Sequence, residues 1–195
     1  MSVYMPRQRR IGTDLSPKEF EAVVEQLERP LGLFVAQMIR SRGLAEDVLQ
    51  ETFLVAWRER ARMPAPAEER RAWLYGVARN KALHALRKGR RGKGAFRSTD
   101  LSEDASVGQE PNEAIVMRDL LERELSPSDR SLFVLRYVHG FSAEELAAVS
   151  GLRPATVRKR LERASTRLRA VLQAEAEHGT SPDQERHHEP TIAST

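Results

Sequence analysis

Apolar residues return along most of this chain at steps of three and four, and the elements they predict are helices. Phe20, Val23, Val24, Leu27, Leu31, Phe34 and Met38 keep one face in phase. Ser16-Pro17-Lys18-Glu19 opens that helix with a capping box and a proline at its first position, where a missing N–H costs nothing. Pro30 is expected to kink or interrupt it, and Gly43 to end it. A second helix is predicted from Leu44 to about Arg60. Val48, Leu49, Thr52, Val55 and Ala56 suit a core, while Phe53, Leu54 and Trp57 carry apolar surface further round the cylinder than one small domain easily covers. That pattern fits either a wholly buried central helix or a face that docks a partner.

Pro64 and Pro66 mark a loop over 63–69. A third helix follows from Arg70 to Lys88, with Leu74, Val77, Ala78 and Leu86 inward and Arg71, Tyr75 and Arg79 four apart on an outer face. An aromatic between guanidiniums is a stacking platform with phosphate clamps, as single-stranded nucleic acid requires; a snorkelling surface with a half-buried Tyr is the plainer account. Beyond a Gly-, Ser- and charge-rich stretch, a fourth helix starts at Pro111 or Asn112 with Ile115, Val116, Leu120 and Leu121 inward. Ser126-Pro127 opens a fifth, with Leu132, Phe133 and Leu135 on its core side.

The sharpest pattern lies between Phe141 and Leu172. Ser142 and Glu145 form a second capping box, Leu146 and Val149 give the short helix an inner face, and Gly151 supplies the left-handed stop. Pro154 begins the next helix, whose apolar residues are Val157, Leu161, Ala164, Leu168 and Val171. Its opposite face carries Arg158, Lys159, Glu162, Arg163, Thr166 and Arg167. Two helices about a short Gly-containing turn, the second basic on one side, have the form needed to enter a DNA major groove. Arginine matches the paired acceptors of guanine, and Glu162 suits the amino group of cytosine. A solvated surface hairpin is the alternative.

Composition sharpens this picture. The 195 residues are 40% hydrophobic and 31% charged, with a formal net charge of +4. The cations are segregated: no acidic residue occurs from Ala72 to Thr99, where Arg79, Lys81, Arg87, Lys88, Arg90, Arg91, Lys93 and Arg97 fall, and the sign reverses from Ser98 to Met117. Separate blocks suggest separate tasks, one of them facing a polyanion. The absence of cysteine excludes disulfides and thiolate-bound zinc. No apolar run is long enough to span a bilayer, and a cytoplasmic location is expected. His178, His187 and His188 lack spaced partners for a metal, and no motif for catalysis or phosphate cradling is found, so neither cofactor nor enzyme activity is expected.

Three stretches, AEDVLQETFLVAW, RAWLYGVARNKALHALR and LSPSDRSLFVLRYVHGFSAEELAAVSGLRPATVRKRLERASTRLR, together resemble regions two and four of bacterial sigma-70 family RNA polymerase sigma factors of the extracytoplasmic-function (ECF) type. The resemblance implies an all-α chain of two small helical domains. These would be a disordered start over 1–14, region two over 15–88, a flexible acidic linker over 89–111, region four over 112–172 and a disordered tail over 173–195. It implies a factor that binds core RNA polymerase and directs initiation at promoters. Asp47, Gln50, Glu51, Leu54 and Trp57 would dock on the clamp helices of the largest subunit. Arg70, Arg71, Tyr75, Arg79, Asn80, Lys81 and Arg87 would read and melt the −10 element. Arg158, Lys159, Glu162 and Arg163 would read −35 bases, with Arg153, Thr156 and Arg167 on phosphates. An anti-sigma factor is a further partner that the resemblance raises. His84 stands where the family commonly has Asp, and Gly76 where a basic residue is frequent. The rivals are a free-standing helix-turn-helix regulator that dimerises on operators and a protein-interaction module with solvated basic patches.

Overall fold

The computed structural model describes residues 14–91 and 112–179, and within them every regular element is a helix. The order is α1 (Pro17–Met38), α2 (Arg42–Arg58), a 3-10 turn (Arg60–Arg62), α3 (Ala67–Arg91), α4 (Asn112–Glu124), α5 (Pro127–Tyr137), α6 (Ala143–Ser150) and α7 (Pro154–Gly179). The expectations for the segments 1–13, 92–111 and 180–195 lie outside the described residues.

Local chemistry sets most of the boundaries. The Ser16 hydroxyl accepts from the Glu19 amide while Glu19 accepts from the Ser16 amide, and Ser142 and Glu145 repeat the arrangement at α6. Each box satisfies two amides that a helix start leaves unpaired. Pro30 sits inside an α1 that continues past it. Gly43 does not end that arm: α1 stops at Met38, Ser41 caps α2 by accepting from the Leu44 amide, and Gly43 falls in the first turn of α2. Gly140 and Gly151 take φ of 74° and 72°, ending α5 and α6 in the left-handed region that costs glycine least. The first of these turns aims His139 and Phe141 at α3.

Two other expectations change. Ile115 and Val116 are exposed, and α4 instead buries Leu120 and Leu121, with Leu125 just beyond its end. The helix of the second reader also runs past Leu172 to Gly179, giving α7 26 residues and a length of about 39 Å.

The two halves share one core. On one side α3 packs against α1 and α2, and on the other against α5 and α6, while α1 also meets α5. The buried cluster runs from Phe34 and Leu74 through Tyr75 and Phe141 to Leu132 and Leu146 without a gap between halves. At the closest approach a Cβ on Gly76 would stand 3.5 Å from the Val149 carbonyl oxygen. Polar contacts cross the same boundary. The buried Arg130 donates to the Met38 carbonyl at 2.9 Å, tying off an unpaired acceptor at the C-terminus of α1, and Arg40 bonds Asp119 and Glu122 on α4.

Gly151→Ala is expected to cost about 1–2 kcal/mol by forcing a Cβ into left-handed backbone, and Ser142→Ala about 1 kcal/mol through the lost cap. Urea unfolding measures both. An unchanged midpoint for Gly151→Ala would mean that the α6–α7 turn is not held in this geometry in solution.

Candidate nucleic-acid and polymerase interfaces

On α7 the apolar repeat turns Val157, Leu161, Ala164 and Leu168 into the core, and geometry then forces the other side outwards. Thr156, Arg158, Lys159, Glu162, Arg163 and Arg167 are all exposed there, with Arg153 just before the first turn. Two of these cations have intramolecular anions: Arg158 pairs with Glu144 of α6, and Arg167 with Glu124 of α4 at 3.1 Å. Both pairs lie in water and contribute little to stability. Arg160, one of the α7 cations not assigned to DNA, is half-buried and lies 3.5 Å from Asp129.

On α2, Val48, Thr52 and Ala56 are buried. Thr52 spends its hydroxyl on the Val48 carbonyl of the preceding turn at 2.7 Å. Asp47, Gln50, Glu51, Leu54 and Trp57 lie outside, Leu54 with 54% of its surface exposed. The sequence left open whether this helix is wholly buried; it is not. Trp57 is fixed between the edge of Phe20, 5.2 Å away, and the Arg60 guanidinium over its face at 4.3 Å. Glu51 accepts from Lys81 of α3 at 2.8 Å, a bond that holds its carboxyl below the ordinary range.

The residues expected on the outer face of α3 divide. Asn80 and Arg87 are exposed, and Arg70 reaches back to the Pro64 and Ala65 carbonyls, shaping the loop before the helix. Tyr75 and Arg79 are not on an outer face: they keep 1% and 5% of their surface, because α5 and α6 cover the stripe on which they stand. Arg71 is half-buried there, donating to the His139 carbonyl and lying 4.1 Å over the Phe141 ring.

Tyr75 is enclosed by aromatics, with Phe34, Phe141 and His139 at ring separations of 5.6, 4.9 and 5.2 Å. Its hydroxyl meets His139 Nδ1 at 3.0 Å, and burial pushes its pKa up. Arg79 donates to the Ser131 and Ser128 hydroxyls at 2.8 and 3.0 Å. Burial, reinforced by the positive charge of Arg160, lowers its pKa to about 10, so it enters this joint as a cation. Ser128 Oγ also accepts from Arg160 at 3.3 Å, so one hydroxyl serves two guanidiniums. Ser128, Ser131, His139 and Phe141 carry this joint, and the sequence reading gave none of them a site role. Small hydroxyls on an ordinary amphipathic helix give no signal of their own.

Against known proteins, the family descriptions Sigma-70 region 2 and Sigma-70, region 4 match residues 23–92 and 118–168. The RNA polymerase sigma factor CarQ of Myxococcus xanthus is 36% identical over 141 residues, covering 71% of this chain and 80% of that protein. The ECF RNA polymerase sigma factor SigL of Mycobacterium tuberculosis is 36% identical over 157 residues, covering 78% and 88%. Among solved structures, the sigma factor RpoE of Bartonella quintana, crystallised with the anti-sigma factor NepR, superposes with a TM-score of 0.65 at 26% identity over 80% of this chain and 98% of that one.

His139 yields a pH prediction. Burial, aided by the nearby Arg71 charge, holds its pKa down to about 4, and its buried Nε2 has no hydrogen-bond partner. The folded chain therefore stays neutral at this ring while the unfolded chain takes up a proton below about pH 6.5. Stability is expected to be complete above pH 6.5 and to fall as the pH drops towards 4. Urea midpoints between pH 7 and 5, above most of the carboxylate range, measure the slope, and His139→Phe should flatten it. An equal slope in that variant would assign the loss elsewhere.

Proposed function

This chain belongs to the sigma-70 family of RNA polymerase sigma factors, in its extracytoplasmic-function (ECF) branch, and on that premise we propose which of its surfaces perform which step of initiation. As a sigma factor it binds core RNA polymerase and directs promoter-specific initiation. We assign the span 15–88 to polymerase docking and the −10 element, and 112–172 to the −35 element. The role is that of a specificity subunit without catalysis of its own, working in the cytoplasm where the polymerase is; no described helix is long and apolar enough to cross a membrane.

The observation that carries the assignment is the coexistence on one fold of two outward faces that the core does not use. The acidic and apolar face of α2 holds Asp47, Gln50, Glu51, Leu54 and Trp57 in water, and a rigid, partly desolvated aromatic beside an exposed leucine is what protein interfaces use as anchors. We place it on the clamp helices of the largest polymerase subunit. The outer face of α7 offers Arg158, Lys159, Glu162 and Arg163 to −35 base edges and Arg153, Thr156 and Arg167 to phosphates, sorting hydrogen-bonding groups between specificity and positioning. For −10 melting and strand capture we assign Arg70, Asn80, Lys81 and Arg87, which keep surface in water; of the other residues the sequence offered for this step, Tyr75 and Arg79 are enclosed and Arg71 is half-buried in the structure. Unstacking costs a few kcal/mol per base and is offset by stacking and phosphate contacts. Two weak readers held on one polymerase add their affinities through effective concentration. The RpoE structure contains an anti-sigma factor, and a counterpart is a further proposed partner here.

Transcription by purified bacterial core polymerase on a library of random promoters, with and without the protein, tests the assignment as a whole. New start sites that share two upstream elements are expected; specific duplex binding by the protein alone, with no effect on transcription, would favour a free-standing regulator. Arg163→Ala should cost about 1–3 kcal/mol of binding at promoters carrying its base and little elsewhere. A uniform loss across sequences would make it a phosphate contact. Leu54→Arg should weaken polymerase binding by about 2 kcal/mol or more without changing the unfolding midpoint, and unchanged affinity would move the docking face off α2.

A further inference from the structure

We propose that Glu124, the last residue of α4, is a positioning residue for −35 recognition: it holds Arg167 by one edge of the guanidinium and so presents the terminal fork to a backbone phosphate. The proposal rests on the assignment of Arg167 to a phosphate.

The two ends of this contact differ. Arg167 keeps 64% of its side-chain surface, as a group that meets DNA must, while Glu124 keeps 14%. The carboxylate is shared between two arginines: Oε2 accepts from Arg167 Nε at 3.1 Å, and Oε1 accepts from Arg123 Nε at 3.0 Å. Arg123 also donates from Nη2 to Glu175 at 2.9 Å, on the turns of α7 beyond Leu172. Glu175, Arg123, Glu124 and Arg167 thus form a chain of alternating charge, which ties the end of α4 to α7 at two points about two turns apart.

The last turn of a helix is a poor place for an acid, because the carbonyls there already carry partial negative charge. Two guanidiniums offset this. Their hydrogen bonds hold the Glu124 carboxyl below its ordinary range, so it is an anion at neutral pH. A lone exposed ion pair orders little, but the acid of this one is already held from its other oxygen.

The atom that Arg167 uses matters as much as its partner. Among the described residues it makes this one hydrogen bond, through Nε. Both terminal nitrogens stay available, and together they can grip a phosphate bidentately. Arg158 is the contrast: it reaches Glu144 through a terminal nitrogen, with both side chains in water, so that pair occupies the fork a base would need. The pair on Arg167 can persist while DNA binds. An arginine loose in water loses rotamer freedom when a phosphate orders it. One already held loses less, and the difference amounts to about three- to tenfold in affinity.

Glu124→Gln and Glu124→Ala remove the same charge, but only the first keeps an oxygen that accepts from Nε. Promoter binding by holoenzyme, with polymerase saturated by each full-length variant, therefore reads the bond alone when the two are compared. The alanine protein is expected to bind a selected promoter about three- to tenfold more weakly than the glutamine protein. The deficit should not depend on the −35 bases, because a phosphate contact carries no sequence information. In an Arg167→Ala background the two variants should bind alike. Equal or tighter binding by the alanine protein with Arg167 present would remove the positioning role. A deficit that survives Arg167→Ala would assign Glu124 to the packing of α4 instead. Arg167→Ala alone tests the underlying assignment: the slope of log affinity against log salt is expected to fall by about one. An unchanged slope would take Arg167 off the phosphate, and the role of Glu124 with it.

Discussion

The structure depends on one helix being covered from two sides. α3 buries Ala72, Ala78 and Ala82 among its larger residues and brings Gly76 close to the backbone of α6 at Val149. α1 and α2 take one flank and α5 and α6 the other, so a chain built from two helical units has a continuous core. The approach is closest at Gly76, where a Cβ would stand 3.5 Å from the Val149 carbonyl oxygen, in ordinary contact.

Most of the fold is legible in the sequence because its punctuation is local. Capping boxes at Ser16 and Ser142, prolines at Pro17, Pro127 and Pro154 and the left-handed Gly151 act within four residues of themselves, and each does what its residue type dictates. Gly43 misleads because a glycine can sit in a first helical turn once a neighbouring serine has taken the cap. Ile115 and Val116 mislead because a run of apolar residues does not say which of them faces inward.

The candidate sites divide by the same rule. The outer face of α7 follows from its strict apolar repeat, and the face of α2 stands out by carrying more apolar surface than a core could use. The stripe Arg71, Tyr75, Arg79 was read as exposed because a helix in a small domain is assumed to have a single inner face. An aromatic flanked by guanidiniums is suited equally to a nucleic acid and to a polar joint between two helical units, and residue type alone does not separate them. What separates them is the pair Ser128 and Ser131, 49 and 52 residues further along the chain, with no pattern of their own.

The exposure of the α7 cations alongside the enclosure of Arg79 has a further consequence, in the ion atmosphere around the protein. Affinity for duplex DNA grows with the number of phosphates neutralised and falls with salt in proportion to the counterions released. With Arg79 enclosed and Arg71 engaged on the joint, this arrangement offers a polyanion fewer cations than the composition suggests. The salt dependence of any DNA binding by this arrangement would therefore count the exposed cations of α7 and of the end of α3, not the total of 32 Lys and Arg.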